Sequence, residues 1–126
     1  MEKDFDFRIT MQRRTKQFAL RIIKLYQALP KSGEAQTIGK QLLRSATSVG
    51  ANYRAACRSR SSKEFYSKLS IVIEEADESM FWLEILGESD IIKSILLQDI
   101  ILEIEEIIKI LVAARKTINQ NSNQFN

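Results

Sequence analysis

The sequence predicts an all-α protein, an antiparallel up-down-up-down four-helix bundle, from three observations. One proline and four glycines among 126 residues leave few positions for turns. Apolar residues recur at intervals of three and four along four long stretches, as one face of a helix requires. Short polar segments join these stretches, so consecutive helices should be antiparallel neighbours. We expect the bundle to occupy residues 1–118, followed by a flexible polar tail over residues 119–126.

The first two helices are predicted over residues 7–29 and 34–58. Pro30 ends the first helix, because a residue before proline is disfavoured in helical geometry. Small residues in the inward row of the second helix should let a neighbouring helix approach closely. Asn52 belongs to that row and is expected to bond across the bundle, since a buried amide needs partners. The row consists of Ile38, Leu42, Ser45, Val49, Asn52 and Ala56.

The third helix is predicted to begin with a capping box, in which Ser61 caps the free amides and Glu64 reaches back to the Ser61 amide. Gly87 is expected to end this helix. Its apolar seam is Phe65, Leu69, Val72, Ala76, Met80, Leu83 and Leu86. The fourth helix, over residues 96–118, has the seam Leu97, Ile101, Ile104, Ile108, Leu111 and Ile118.

The composition argues against an enzyme and predicts neither catalytic residues, nor a metal centre, nor a cofactor. The sequence contains no histidine and one cysteine, Cys57. Carboxylates on the third and fourth helices suggest a di-iron site. That site type uses Glu-x-x-His pairs, which a sequence without histidine cannot supply. A solvated or interface-forming acidic face is the preferred interpretation, and a metal bound by carboxylates alone is the open alternative.

A cytoplasmic location is expected. The lone cysteine excludes an intrachain disulfide and fits a reducing compartment. The first residues, MEKDFDF, are acidic where a secretory signal would be basic. The most apolar region, residues 91–114, is interrupted by six charged residues and is too polar to span a bilayer. We therefore expect no membrane association.

Charge is distributed unevenly along the chain. Residues 1–60 contain 13 Lys and Arg against 4 Asp and Glu, whereas residues 61–126 contain 6 against 12. Such asymmetry is typical of a polyanion-binding face. It is equally expected of two halves that attract each other within a chain or between subunits.

The basic residues of the second helix form a stripe opposite its apolar row, within a sector of about 80°. A basic helix face of this kind is the electrostatic footprint of phosphate binding. The alternatives are a solvated surface or pairing with acids of a neighbouring subunit. Lys16 lies among the basic residues of the first helix. The candidate nucleic-acid-binding residues are Arg13, Arg14, Arg21, Lys24, Lys40, Arg44, Arg54, Arg58, Arg60 and Lys63.

Three runs of sequence resemble the bacterial four-helix bundle proteins related to 23S ribosomal RNA intervening-sequence proteins. They are RTKQFALRIIKLYQALPK, QLLRSATSVGANYRAACRSRSSKEFYSKL and EEADESMFWLEIL. The resemblance covers residues 7 to 118, and its SVGANY and EEADES-x-x-WLE blocks are specific. The accessory variability determinant of diversity-generating retroelements is a related protein.

The resemblance implies a homopentamer that binds RNA or DNA through a basic surface, and it implies a reverse transcriptase as a partner. It supplies no catalytic residues. The expected function is therefore that of a non-enzymatic accessory protein that binds nucleic acid. The alternative is a structural or partner-binding oligomer whose charged faces serve assembly.

Overall fold

The computed structural model describes the backbone of residues 2–124 and the side-chain surroundings of residue 3 and residues 5–119. It contains four helices: α1 (Glu2–Gln27), α2 (Gly33–Cys57), α3 (Ser62–Glu88) and α4 (Ser94–Gln124). No strand occurs within residues 2–124. The predicted all-α class is confirmed.

The helices pack in chain order, as their short connections require. α2 packs against α1 on one side and against α3 on the other, and α3 also packs along α4. Among the four pairs of helices in contact, α1 and α4 pack together least extensively. This packing is consistent with the predicted up-down-up-down bundle.

The core is a continuous apolar column built from one face of each helix. Because an α-helix has 3.6 residues per turn, apolar residues three and four apart share the inward face. Enclosing each large apolar side chain contributes roughly 1.5–3 kcal/mol relative to leaving it in water. The completely enclosed members include Phe18, Ile22, Leu42, Val49, Leu69, Leu83, Ile104 and Leu111.

Small residues of α2 allow close approach to both of its neighbours. A Cβ atom at Gly50 would lie 3.4 Å from the backbone oxygen of Thr15 in α1. Towards α3, the hydroxyls of Ser45 and Ser79 form a buried hydrogen bond of 2.8 Å. The absence of bulky side chains at these points keeps the three helices close together.

The prediction that Asn52 bonds across the bundle is wrong. Its side chain is only half-buried, and Nδ2 donates to the carbonyl of Ser48 on the same helix at 2.9 Å. The Ser45–Ser79 pair provides the buried polar contact between helices instead. A short hydroxyl fits where two helices approach closely, whereas the longer amide lies at the edge of the row and bonds to its own backbone.

The start of α3 is capped largely as the sequence predicts. Ser61 Oγ accepts a hydrogen bond from the Glu64 amide at 3.1 Å. The Glu64 carboxylate reaches back to the Arg60 amide at 3.3 Å, rather than to that of Ser61. Both bonds stabilise the sharp α2–α3 turn.

The end of α3 differs from the prediction. Gly87 is buried within the helix, and the positive φ in the following turn belongs to Asp90, at 61°. A Cβ atom at Gly87 would lie 3.1 Å from Ser94 Oγ and 3.4 Å from Leu97 Cδ1. The glycine therefore makes room for the start of α4 instead of ending α3.

The outer helices are longer than the sequence indicates. α1 begins before residue 7, and α4 continues beyond residue 118 to Gln124. Within the predicted tail, the side chains from residue 120 onwards and all of residues 125–126 lie outside the described residues. Despite these lengths, no helix within residues 2–124 is apolar over a stretch long enough to cross a membrane.

Alanine should be tolerated at Gly50 but not at Gly39. A Cβ atom at Gly39 would overlap Leu29 Cδ1 and lie 3.0 Å from Tyr26 Cδ2, and overpacking of this kind costs about 1–3 kcal/mol. At Gly50 the nearest atom is 3.4 Å away, so the higher helix propensity of alanine, up to ~1 kcal/mol, is retained. Urea unfolding should show Gly39→Ala less stable than the wild type and Gly50→Ala at least as stable. Equal stabilities of the two variants would contradict this account of the α1–α2 contact.

Candidate nucleic-acid interface

The basic stripe of α2 lies on the side of the helix that faces away from the core. Lys40, Arg44, Arg54 and Arg58 are all exposed, the last as the residue that ends the helix. At 1.5 Å per residue the stripe extends for roughly 27 Å. The stripe faces solvent because the apolar row on the opposite side of α2 faces the core.

A groove of about 690 Å³ runs between α1 and α2, and we call it the basic groove. Its cations are Arg13 and Lys16 of α1 with Arg54 and Arg58 at the end of α2. None of the described residues that line it is Asp or Glu, so the four cations are not neutralised by acids among them. The other lining residues are small or uncharged: Gln12, Gln17, Ala19, Thr47, Gly50 and Ala51.

The close approach of α1 and α2 creates the basic groove. Gly50 lies against the backbone of Thr15, and Ala19 and Ala51 complete a floor without long side chains. Long cationic side chains rise on both sides of this floor. Such a concave surface of one charge sign concentrates anions from solution.

Arg44 belongs to the exposed stripe, but its guanidinium is directed towards α3. Nη1 donates to the Glu75 carboxylate at 3.3 Å, and Nη2 donates to Glu78. The Trp82 indole N–H also donates to Glu78, at 3.1 Å. The Trp82 indole, followed by Arg44, holds the pKa of Glu78 below its usual range. The charge of Arg44 is therefore matched by acids of its own chain.

Arg14 has a similar structural role between α1 and α4. Its Nε and Nη2 donate to the two oxygens of Glu103 at 3.2 and 2.7 Å, and Glu106 lies 3.3 Å away. Hydrogen bonding to Glu103 raises the pKa of Arg14 further. This bidentate ion pair joins the two helices that pack together least extensively among the pairs in contact.

Three of the ten candidate residues line the basic groove: Arg13, Arg54 and Arg58. Lys16, which is not among the ten, completes it. The three-residue spacing from Arg13 to Lys16 places them on neighbouring positions of the α1 surface, and this spacing was the signal available in the sequence.

The other candidate residues lie outside the basic groove. Arg14 and Arg44 form the ion pairs described above. Lys40 continues the α2 stripe away from the groove. Arg21, Lys24, Arg60 and Lys63 are exposed on α1 and around the α2–α3 turn.

The exposed side of α3 carries the opposite charge. Its solvent-facing acids are Glu74, Asp77, Glu84 and Glu88. Within the described residues, no group of three or more His, Cys, Asp or Glu is arranged to bind a metal ion. The uneven charge of the sequence thus becomes a basic side formed by α1 and α2 and an acidic surface on α3.

The comparison with protein families identifies the relationship. The family model described as 23S rRNA-intervening sequence protein matches residues 8–113, which include parts of all four helices. The chain belongs to this family. The resemblance noted in the sequence is confirmed, whereas the link to retroelement accessory proteins stays a prediction.

This 23S rRNA-intervening sequence protein is also similar to a solved structure. That structure is a protein of unknown function from the S23 ribosomal protein family of Bacteroides thetaiotaomicron. The two share 35% identity over 86% of this chain and 97% of that chain, with a TM-score of 0.80. None of the curated proteins compared with the chain matches it.

The single cysteine of the chain, Cys57, is expected to have low reactivity. Cys57 is half-buried beside Tyr53, which is completely enclosed. Burial raises the pKa of the Cys57 thiol and also the pKa of the Tyr53 hydroxyl. The thiol is therefore protonated at neutral pH, and a thiol is a poor nucleophile compared with a thiolate.

Replacing single arginines should lower the free energy of unfolding more where the arginine forms an ion pair between helices than where it is exposed. Replacing Arg14 or Arg44 with alanine removes ion pairs between helices and should lower the free energy of unfolding by about 1 kcal/mol. Arg54→Ala and Arg58→Ala are the matched exposed controls and should change it by less than about 0.5 kcal/mol. Urea unfolding followed by circular dichroism measures the difference. A Glu103→Ala change should be non-additive with Arg14→Ala, and additive effects would contradict the proposed pairing.

Proposed function

We propose that this protein is a non-enzymatic, homo-oligomeric accessory factor of the cytoplasm that binds nucleic acid through the basic groove. The observation that carries the proposal is the convergence of four cations on one groove without a carboxylate among its lining residues. The absence of histidine from the sequence supports the non-enzymatic part. The single cysteine supports a reducing compartment.

The chemistry of the basic groove favours the phosphate backbone over the bases. Arginine and lysine bind phosphate oxygens, and these contacts position a nucleic acid without reading its sequence. The floor of Ala19, Gly50 and Ala51 leaves space for a sugar–phosphate chain. No aromatic residue is among the described residues that line the groove, so the proposed binding does not rely on stacking with bases. The expected binding is strong in low salt and independent of sequence.

A single basic groove offers few phosphate contacts, so the proposal includes an oligomer that repeats it. Linked copies of a weak site bind a long polymer far more tightly than one copy does. The number of subunits, a pentamer, comes from the family resemblance and not from the chemistry of this chain. A reverse transcriptase gene beside this one would favour a retroelement role, and a location within a ribosomal RNA gene would favour the intervening-sequence role.

Exposed apolar side chains support the oligomeric part of the proposal. Most lie on α1 and α4, and two lie on α3: α1 exposes Phe5, Ile9, Leu20 and Ile23, α3 exposes Ile71 and Phe81, and α4 exposes Ile95, Leu96, Leu102 and Val112. Apolar residues concentrated on solvent-facing surfaces are characteristic of contacts with another chain. The basic side and the acidic α3 surface would attract each other between subunits in a head-to-tail ring.

The same charges favour a second candidate function, a structural oligomer without a nucleic-acid ligand. Arg14 and Arg44 already pair with acids of their own chain. Arg54 and Arg58 would then pair with acids of the adjacent subunit. This candidate and nucleic-acid binding make opposite predictions for the same variant.

Reversing the charge of Arg54 and Arg58 should weaken nucleic-acid binding without changing the fold. The double variant Arg54→Glu/Arg58→Glu removes two phosphate contacts and should lower duplex affinity by more than about tenfold. The plot of log affinity against log salt should become shallower by about 0.9 per lost contact. Fluorescence anisotropy with RNA and DNA of mixed sequence measures both quantities.

A matched control distinguishes the loss of contacts in the groove from a general effect of lower net charge. Lys31→Glu/Lys93→Glu makes the same change in net charge at two exposed turn residues outside the groove and should bind nearly as the wild type does. Equal losses in both double variants would contradict a localised site. Loss of assembly in Arg54→Glu/Arg58→Glu would favour the structural oligomer instead.

Sedimentation of the wild-type protein at micromolar concentration should reveal an assembly and not a monomer. Leu20→Asp and Leu102→Asp place a charge in the exposed apolar surfaces and should each dissociate the assembly, because burying an unpaired charge is costly. Thr37→Asp, at an exposed polar position of α2, is the control and should leave it intact. A monomeric wild type would rule out this part of the proposal.

A further inference from the structure

A second cavity opens at the end of the bundle that contains the α2–α3 turn, and we call it the end cavity. Its volume is about 600 Å³, which lies within the range of small-molecule sites, roughly 300–1,000 Å³. α1, the turn with the start of α3, and α4 all contribute to it. The lining residues are Phe7, Arg8, Ser59, Arg60, Ser61, Ser62, Phe65, Ala114, Thr117 and Ile118.

The lining combines cations, hydroxyls and apolar walls. Arg8 and Arg60 carry positive charge, and none of the described residues that line the cavity is Asp or Glu. The Glu64 carboxylate lies just outside this lining, where it accepts from the Arg60 amide at 3.3 Å. The Arg8 guanidinium lies 5.4 Å from the centre of the Phe65 ring, which restrains it at the wall. Phe7 and Ile118 add apolar surface. A ligand that matches this lining has an anionic part and a flat or apolar part.

Two buried hydroxyls at this end of the bundle have no hydrogen-bond partner within the described residues. They belong to Ser59, which lines the end cavity, and to Tyr53, which is completely enclosed. The Tyr53 hydroxyl has the Cys57 thiol beside it and does not line the cavity, which leaves Ser59 as the cavity residue whose hydroxyl lacks a partner. Buried polar atoms in native proteins are almost always paired, so an unpaired one calls for an explanation. Ser59 Oγ is covered by protein atoms, but its residue lines the end cavity, so a rotation of the short side chain would bring the hydroxyl to a ligand oxygen.

From this arrangement we infer that the end cavity binds the phosphate monoester of a nucleotide. Arg8 and Arg60 bind the phosphate oxygens, Ser59 Oγ donates to one of them, and the base lies against Phe7 and the apolar wall. Ser61 Oγ and the Glu64 carboxylate already accept from amides at the start of α3, so the two arginines and not the helix end would hold the anion. The cavity is much larger than inorganic phosphate and is partly apolar, so phosphate alone would leave most of it unfilled.

The inference is independent of the basic groove, because the two cavities share no lining residue. The phosphate monoester has two sources with the same chemistry, a free nucleotide or the phosphorylated end of a nucleic acid. The experiments below separate these sources and also separate the end cavity from the groove.

Calorimetric titration with adenosine 5′-monophosphate at low salt tests the site. The nucleotide should bind at least about tenfold more tightly than adenosine or inorganic phosphate, because only it contacts both parts of the lining. Arg60→Ala should weaken binding by about tenfold, since it removes a charge-assisted hydrogen bond. Arg21→Ala, an exposed arginine that lines neither cavity, is the matched control and should bind within about twofold of the wild type.

Ser59→Ala distinguishes ligand binding from a structural role. It deletes a buried hydroxyl that has no partner in the described residues, so the thermal unfolding temperature without ligand should not fall. Nucleotide affinity should nevertheless decrease. No saturable binding to the wild type, equal binding by Arg60→Ala and Arg21→Ala, or unchanged affinity in Ser59→Ala would each overturn the inference.

Two oligonucleotides of one sequence, with a 5′-phosphate or a 5′-hydroxyl, identify the source. A preference for the phosphorylated end that Arg60→Ala abolishes supports a nucleic-acid end as the ligand. Binding of adenosine 5′-monophosphate without that preference supports a free nucleotide. Arg54→Glu/Arg58→Glu should retain nucleotide binding even where it loses polymer binding, and loss of nucleotide binding in that variant would overturn the separation of the two sites.

Discussion

The close packing of α2 between α1 and α3 is the constraint on which the rest of the structure depends. Gly50 lies against the α1 backbone at Thr15, and Ser45 bonds to Ser79 of α3 in the core. Small side chains at these contacts exclude water and hold three helices at short distances. The basic groove is a direct consequence, because the cations of α1 and α2 can share a groove only where the two helices are close. Side chains larger than alanine at these contacts would move the groove walls apart as well as loosen the core.

Ion pairing within the chain decides which cations would remain available to an anionic ligand. Arg14 and Arg44 have carboxylates within hydrogen-bonding distance, provided by α4 and α3. These acids are held in place by their helices, so they neutralise the arginines without any ligand being bound. Arg13, Arg54 and Arg58 line a groove with no acid among its described residues. A basic helix face in a sequence therefore overstates the positive charge that is available for phosphates. This happens wherever a neighbouring helix carries acids opposite the basic residues.

Membership of the 23S rRNA-intervening sequence protein family establishes the relationship of the chain, while its function must be argued from its surfaces. The solved relative has the same fold and is described as a protein of unknown function. The basic groove suits an extended polyanion because it is open and lacks aromatic side chains. The end cavity, with Phe7 and Phe65 beside two arginines, suits a compact ligand that has both a charge and a flat ring. If both proposals hold, the two features would complement each other, the groove for the phosphates of a polymer and the end cavity for a phosphate monoester.

The sequence alone determined the number of helices, their apolar faces, the Ser61 cap and the exposed basic stripe of α2, because each follows from residue spacing within one segment. Tertiary structure decided the features that depend on a neighbouring helix. Gly87 makes room for α4, and Asn52 bonds to its own backbone while two serines meet across the core. The pairing of Arg14 with Glu103, the basic groove and the end cavity also depend on which helices adjoin and how each is rotated. Periodicity shows which side of a helix is buried, but the side chains it meets there are set by packing between helices.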